Sequence, residues 1–120
     1  MALQNTNPTT TKAWEKLQQH FQTMQTASMK EMFSEDASRA AKFHIKWEDF
    51  LVDYSKNRIN QETINLLLEL ANEVNLKQAI ASYFDGQAIN QTENRAVLHT
   101  ALRAPEKATI LVDGKNVMPE

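Results

Sequence analysis

Apolar positions along the chain follow first one period and then another. Trp14, Leu17, Phe21 and Met24 recur at spacings of three, four and three, which predicts one face of a helix from Lys12 onward. Lys16, Gln18, Gln19, Gln22 and Gln25 fall elsewhere and can face water. The stripe reads as core packing, with a partner-binding helix as the alternative. Ser28 followed three residues later by Glu31 fits a capping box. It opens a short second helix through Phe33 to about Ala41, with Met29, Met32 and Phe33 as its apolar side. The period then changes to two. Phe43, Ile45 and Trp47 alternate with His44, Lys46 and Glu48, the pattern of a half-buried strand. Glu48-Asp49 is a turn and 50–54 a second strand, so a small antiparallel hairpin is expected.

Helical spacing returns with Ile64, Leu67, Leu68, Ala71 and Val74, behind a capping Asn60. Asn75 suits either the left-handed end of that helix or the start of the next. Leu76, Ile80, Tyr83 and Phe84 mark the next helix, which stops near Gly86. Asn90 and Glu93 again stand at capping spacing, and they predict a helix over 94–103 that Pro105 closes. Thr109-Ile110-Leu111-Val112 reads as a strand and Asp113-Gly114 as a turn. Pro119-Glu120 has the makings of a helix start, so the polypeptide is expected to continue past Glu120. Residues 1–11, rich in Asn, Thr and Gln, are expected to form a flexible leader, and 12–120 one incomplete domain.

Composition narrows the picture mainly by exclusion. The chain has 120 residues, is 42% hydrophobic and 23% charged, and so belongs with globular rather than disordered proteins. Its formal net charge of -2 and the lack of a basic stripe argue against a nucleic-acid module. With no cysteine, disulfides, thiol catalysis and Cys-held metals are excluded. No apolar run approaches the ~20 residues that span a bilayer, and residues 1–8 lack the features of a signal peptide. A cytoplasmic protein without membrane contact is the expectation. The only glycines, Gly86 and Gly114, cannot build a phosphate-cradling loop.

Candidate chemistry is sparse. His20, His44 and His99 are mutually remote, there is no HExxH, and no metal site is expected. His20 reads as a packing residue and His44 as the polar side of a strand. Glu93, Arg95, His99 and Arg103 form the polar cluster that merits weighing. On a helix, Arg95, His99 and Arg103 at i, i+4 and i+8 share a face, and two guanidinium groups flanking an imidazole can bind an anion. The alternative is that the arginines join neighbouring segments through ion pairs and His99 sits at a packed boundary. Ser55-Lys56 follows a strand and reads as a turn rather than a nucleophile–base pair. No pair of carboxylates stands ready for acid–base work.

Three segments, in this order and at this separation, resemble the amino-terminal region of the glucose-6-phosphate isomerase (phosphoglucose isomerase) family. They are Asp53-Tyr54-Ser55-Lys56-Asn57, the long run from Gly86 through Asn90-Gln91-Thr92-Glu93-Asn94-Arg95-Ala96-Val97-Leu98-His99 to Arg103, and Ile110-Leu111-Val112-Asp113-Gly114-Lys115-Asn116-Val117. The middle segment is the specific one, and the resemblance is carried from about Phe50 to Glu120. It implies an α/β chain, a mostly helical amino-terminal segment with short strands that belongs to a sugar-isomerase (SIS) α/β/α sandwich. It also implies a cofactor-free aldose–ketose isomerase, usually a homodimer, acting on a sugar phosphate. Family members open the sugar ring and move a proton between C1 and C2 through a cis-enediol, using a glutamate base, a histidine, a lysine and an arginine. Those groups lie in segments beyond this chain, so no catalytic or substrate-binding residue is assigned here. Glu93, Arg95, His99 and Arg103 match family positions and are candidates for structural or positioning roles. An inactive piece of marginal stability is expected. The alternative is a self-contained helical protein-interaction module.

Overall fold

Thr11 starts the first helix. Its hydroxyl accepts from the Trp14 N–H at 3.2 Å and donates to the Pro8 carbonyl at 2.6 Å, and the residue is buried. The computed structural model describes residues 4–118. Pro8–Thr10, expected within the leader, forms a turn of 3-10 helix leading into α1 (Lys12–Met24). Then follow α2 (Met29–Glu35), α3 (Arg39–Lys42), β1 (His44–Trp47), β2 (Phe50–Asp53), α4 (Gln61–Glu73) and α5 (Leu76–Phe84). A 3-10 turn (Ala101–Arg103), β3 (Leu111–Val112) and β4 (Lys115–Asn116) complete the described residues. This is a mixture of helices and short strands, as expected. The described chain divides into two units, residues 8–70 and residues 71–118 with 4–7.

In the first unit α1 and α4 run antiparallel, as their contacts record. Lys16 pairs with Glu69 at 2.6 Å, and one turn later His20 Nε2 meets the Thr63 hydroxyl at 2.7 Å. Asn60 caps α4 as the sequence predicts: its Oδ1 accepts from the Thr63 N–H at 2.9 Å while its own N–H donates to the Thr63 hydroxyl at 3.1 Å. The buried positions are Ala13 and His20 on α1 and Leu66 on α4. The expected stripes are only partly covered: Trp14, Leu17, Met24, Ile64, Ala71 and Val74 are half-buried, while Phe21, Leu67 and Leu68 are exposed. The polar pairs occupy the contact, and both helices carry more apolar residues than are buried.

The second predicted helix is broken in two. Asp36 is extended (φ −134°, ψ 91°), and its carboxylate accepts from the Ser38 N–H at 3.0 Å and the Ser38 hydroxyl at 2.6 Å. This side-chain turn competes with helix continuation and restarts the chain as α3. Lys42 Nζ returns to the same carboxylate at 2.8 Å. Ser28 Oγ lies 3.5 Å from the Glu31 N–H, a loose version of the expected cap.

The hairpin of β1 and β2 forms in the register Ile45 to Val52 and Trp47 to Phe50, across a turn in which Glu48 has φ 49°. All eight of its residues are exposed rather than half-buried. Only Phe43, just before β1, enters the core.

In the second unit Asn75 takes the left-handed conformation (φ 56°, ψ 39°) that separates α4 from α5. Gly86, at φ 68°, closes α5, with the Gln87 N–H returning to the Ser82 carbonyl at 3.1 Å. A Cβ at Gly86 would stand 2.6 Å from the Leu111 carbonyl oxygen. Asp113 (φ 50°) and Gly114 (φ 77°) make the tight turn of the β3–β4 hairpin. The Pro119-Glu120 helix start lies outside the described residues.

Two predictions follow from these turns. Gly114→Ala meets open space and loses about 1–2 kcal/mol through its left-handed backbone alone, whereas Gly86→Ala loses clearly more because backbone must move. Urea denaturation of the two variants checks the order. Lys42 and then Ser38 draw the Asp36 carboxyl from its ordinary 3.8 to about 2. A depressed carboxylate favours the folded state above its ordinary value, and that contribution is lost as pH falls toward 2. Asp36→Asn should therefore lower the urea midpoint at about pH 5 and leave it little changed near pH 2.

Candidate functional site

The segment expected to be helical over 94–103 is not a helix. Asn90 and Arg95 exchange two backbone hydrogen bonds, at 3.1 and 3.2 Å, and close a tight loop. The capping signature is real but serves that loop: Asn90 Oδ1 accepts from the Glu93 N–H at 3.1 Å, and Asn90 Nδ2 donates to Glu93 Oε2 at 3.0 Å. Asn94 then adopts φ 49°, which ends the turn and turns the chain back. Residues 96–98 are irregular, and helical geometry appears only as the 3-10 turn Ala101–Arg103.

The anticipated face of Arg95, His99 and Arg103 is therefore absent. Arg95 turns its Nε to Glu93 Oε2 in an ion pair between exposed side chains. It borders an open, largely apolar groove of about 500 Å³, together with Asn90, Leu98, His99, Leu102 and Val117. Arg103 lies instead on a second open groove, of about 470 Å³, with Phe84, Thr100 and Ile110. His99 touches both grooves and the two guanidinium groups share neither. No site with two arginines around one anion is assembled. Glu93 shapes the loop and holds Arg95, a pair two residues apart rather than one between neighbouring segments, and His99 is exposed rather than at a packed boundary.

The loop after β2, residues 53–57, is positioned by a residue that the sequence reading missed. Arg39, on the four-residue α3, is buried, and its Nε donates to the Ser55 carbonyl at 2.8 Å. Its Nη2 donates to the Asn57 carbonyl at 2.7 Å. Its Cζ lies 4.7 Å from the centre of the Phe43 ring and 5.7 Å from that of Phe33. Phe43 also meets Tyr54 edge to face. The recoverable signal was an arginine four residues before a phenylalanine, at helical spacing. Within the loop Asp53 Oδ1 accepts from the Ser55 N–H at 2.9 Å, and its neighbour Ser55 holds the Asp53 carboxyl below its usual range. Ser55 is buried and Lys56 exposed, which fits a turn. Among the described residues, no three His, Asp or Glu side chains converge as a metal site.

The geometry so far defines a structural part of an α/β protein, with ordered connecting loops and without an assembled reactive centre among the described residues. The family model described as phosphoglucose isomerase matches residues 53–120, and the chain belongs to that family. It is similar to the glucose-6-phosphate isomerase of Christiangramia forsetii, 60% identical over 118 residues. That alignment takes in 98% of this chain and 22% of the relative, so the chain spans less than a quarter of the relative's length.

Arg39→Lys tests the clasp on the 53–57 loop. A single ammonium cannot fork to two carbonyls and lie flat on an aromatic ring, so a loss of about 2–4 kcal/mol is expected despite the retained charge. Faster amide exchange in residues 54–58 should accompany the lower urea midpoint.

Proposed function

We propose that this chain is the amino-terminal scaffold of a glucose-6-phosphate isomerase. The complete enzyme interconverts glucose 6-phosphate and fructose 6-phosphate through a cis-enediol, as a cofactor-free, cytoplasmic homodimer of the SIS fold in glycolysis and gluconeogenesis. The observation that carries this reading is the family match over 53–120, which takes in the Asp53–Asn57 loop, the Gly86–Arg103 segment and the Asp113-Gly114 hairpin. The local chemistry supports a scaffold. Glu93 shapes a turn and pairs with Arg95, and Arg39 is spent on two backbone carbonyls. Each of these groups is engaged in holding backbone or a neighbouring side chain. Their role is to hold the backbone on which reacting groups elsewhere in the enzyme depend, where displacement by an ångström is costly in rate.

Two assays test this. The purified 120-residue chain should give no turnover of glucose 6-phosphate in a coupled assay free of host enzyme, and turnover would overturn the scaffold assignment. Substituted for the 118 aligned residues of the Christiangramia enzyme, the chain should support isomerase activity within roughly tenfold of the parent. An inactive but folded hybrid would overturn the isomerase reading.

A further inference from the structure

The hairpin of β1 and β2 has two unlike faces. Directly opposed residues share a face, so the register joins Ile45 with Val52 and Trp47 with Phe50 on one side. His44, Lys46, Leu51 and Asp53 fall on the other. The first face carries no charge and no polar side chain. Its four residues are 56–66% exposed, and Trp47 stacks on Phe50 with ring centres 5.8 Å apart. A lone two-stranded ribbon is at best marginally stable in water, and an apolar face of this kind requires a cover.

We infer that the Ile45–Trp47–Phe50–Val52 face is a docking surface for an uncharged, apolar surface elsewhere in the complete isomerase polypeptide. This inference rests on the isomerase reading above. Area argues against a second copy of the same face as the cover. Four side chains of this size offer on the order of 400–500 Å², and two copies barely approach the ~1,000 Å² that a specific interface needs. The relative has more than three quarters of its length outside the aligned region, which supplies ample polypeptide for the cover. Charge argues in the same direction. Lys46, His44 and Asp53 are all on the opposite face, so the docking face can be enclosed without stranding a charge. Leu51, on that opposite face, provides an internal control.

Hydroxyl-radical footprinting tests the inference on the free chain and on the hybrid with the Christiangramia enzyme. Trp47 and Phe50 should label readily in the free chain and fall by roughly fivefold or more in the hybrid, with Leu51 much less changed. Unchanged labelling of Trp47 in an active hybrid overturns the docking surface and leaves the isomerase reading standing. Equal protection of Leu51 overturns the assignment to one face. Protection of Trp47 in a folded but inactive hybrid supports docking and counts against the isomerase reading alone. Sedimentation of the free chain gives a separate check: concentration-dependent dimers that protect Trp47 overturn the inference in favour of self-association.

Discussion

The buried guanidinium of Arg39 is the constraint on which the unit formed by residues 8–70 turns. A charge removed from water must be met by partners, and here they are two backbone carbonyls and the faces of two phenylalanine rings. The four partners come from three stretches of chain: Phe33 from α2, Phe43 from the entry to β1, and Ser55 and Asn57 from the loop after β2. The arginine thus joins three pieces of chain. Carbonyl partners suit this purpose because they fix the path of the main chain itself. The Asp53 turn and the edge-to-face contact of Phe43 with Tyr54 add to the same fixation.

Much of the fold was legible in the residues. Asn60, Asn75, Gly86 and Asp113-Gly114 each do what their backbone chemistry predicts, since caps and left-handed positions depend on neighbours in sequence. The hairpin was legible from its alternation, and its register puts Ile45, Trp47, Phe50 and Val52 on one face and leaves Leu51 on the other. What periodicity could not give was which side of a helix is covered. On α1 and α4 the apolar arc is wider than the contact, so the buried positions are Ala13, His20 and Leu66 instead of the larger side chains. Asp36 split a helix because its side chain captured Ser38, a local competition that apolar spacing does not register.

The candidate site was the least legible part. Asn90 and Glu93 do interact as a capping pair, yet Asn94 turns left-handed and the segment becomes a loop. The same signature opens a helix or closes a turn according to the residue that follows it. The shared face of Arg95, His99 and Arg103 existed only on the assumption of helical geometry, and the two arginines lie on separate grooves. Arg39 escaped notice because a buried arginine bonded to carbonyls leaves no pattern of paired charges. The resemblance to the isomerase family rested on the order of three segments, independent of their secondary structure, and for that reason it stood while the helix did not.

Gly86 and Leu111 pass so closely that they act as the neck of a long excursion through residues 87–110. The backbone bonds of α4 and α5 join near sequence neighbours, whereas this neck must wait until distant chain has been gathered in and its closure entropy met. The segment most characteristic of the family is therefore expected to be among the last to become ordered as the polypeptide folds. On the ribosome, the neck itself cannot close until the strand at Leu111 has emerged.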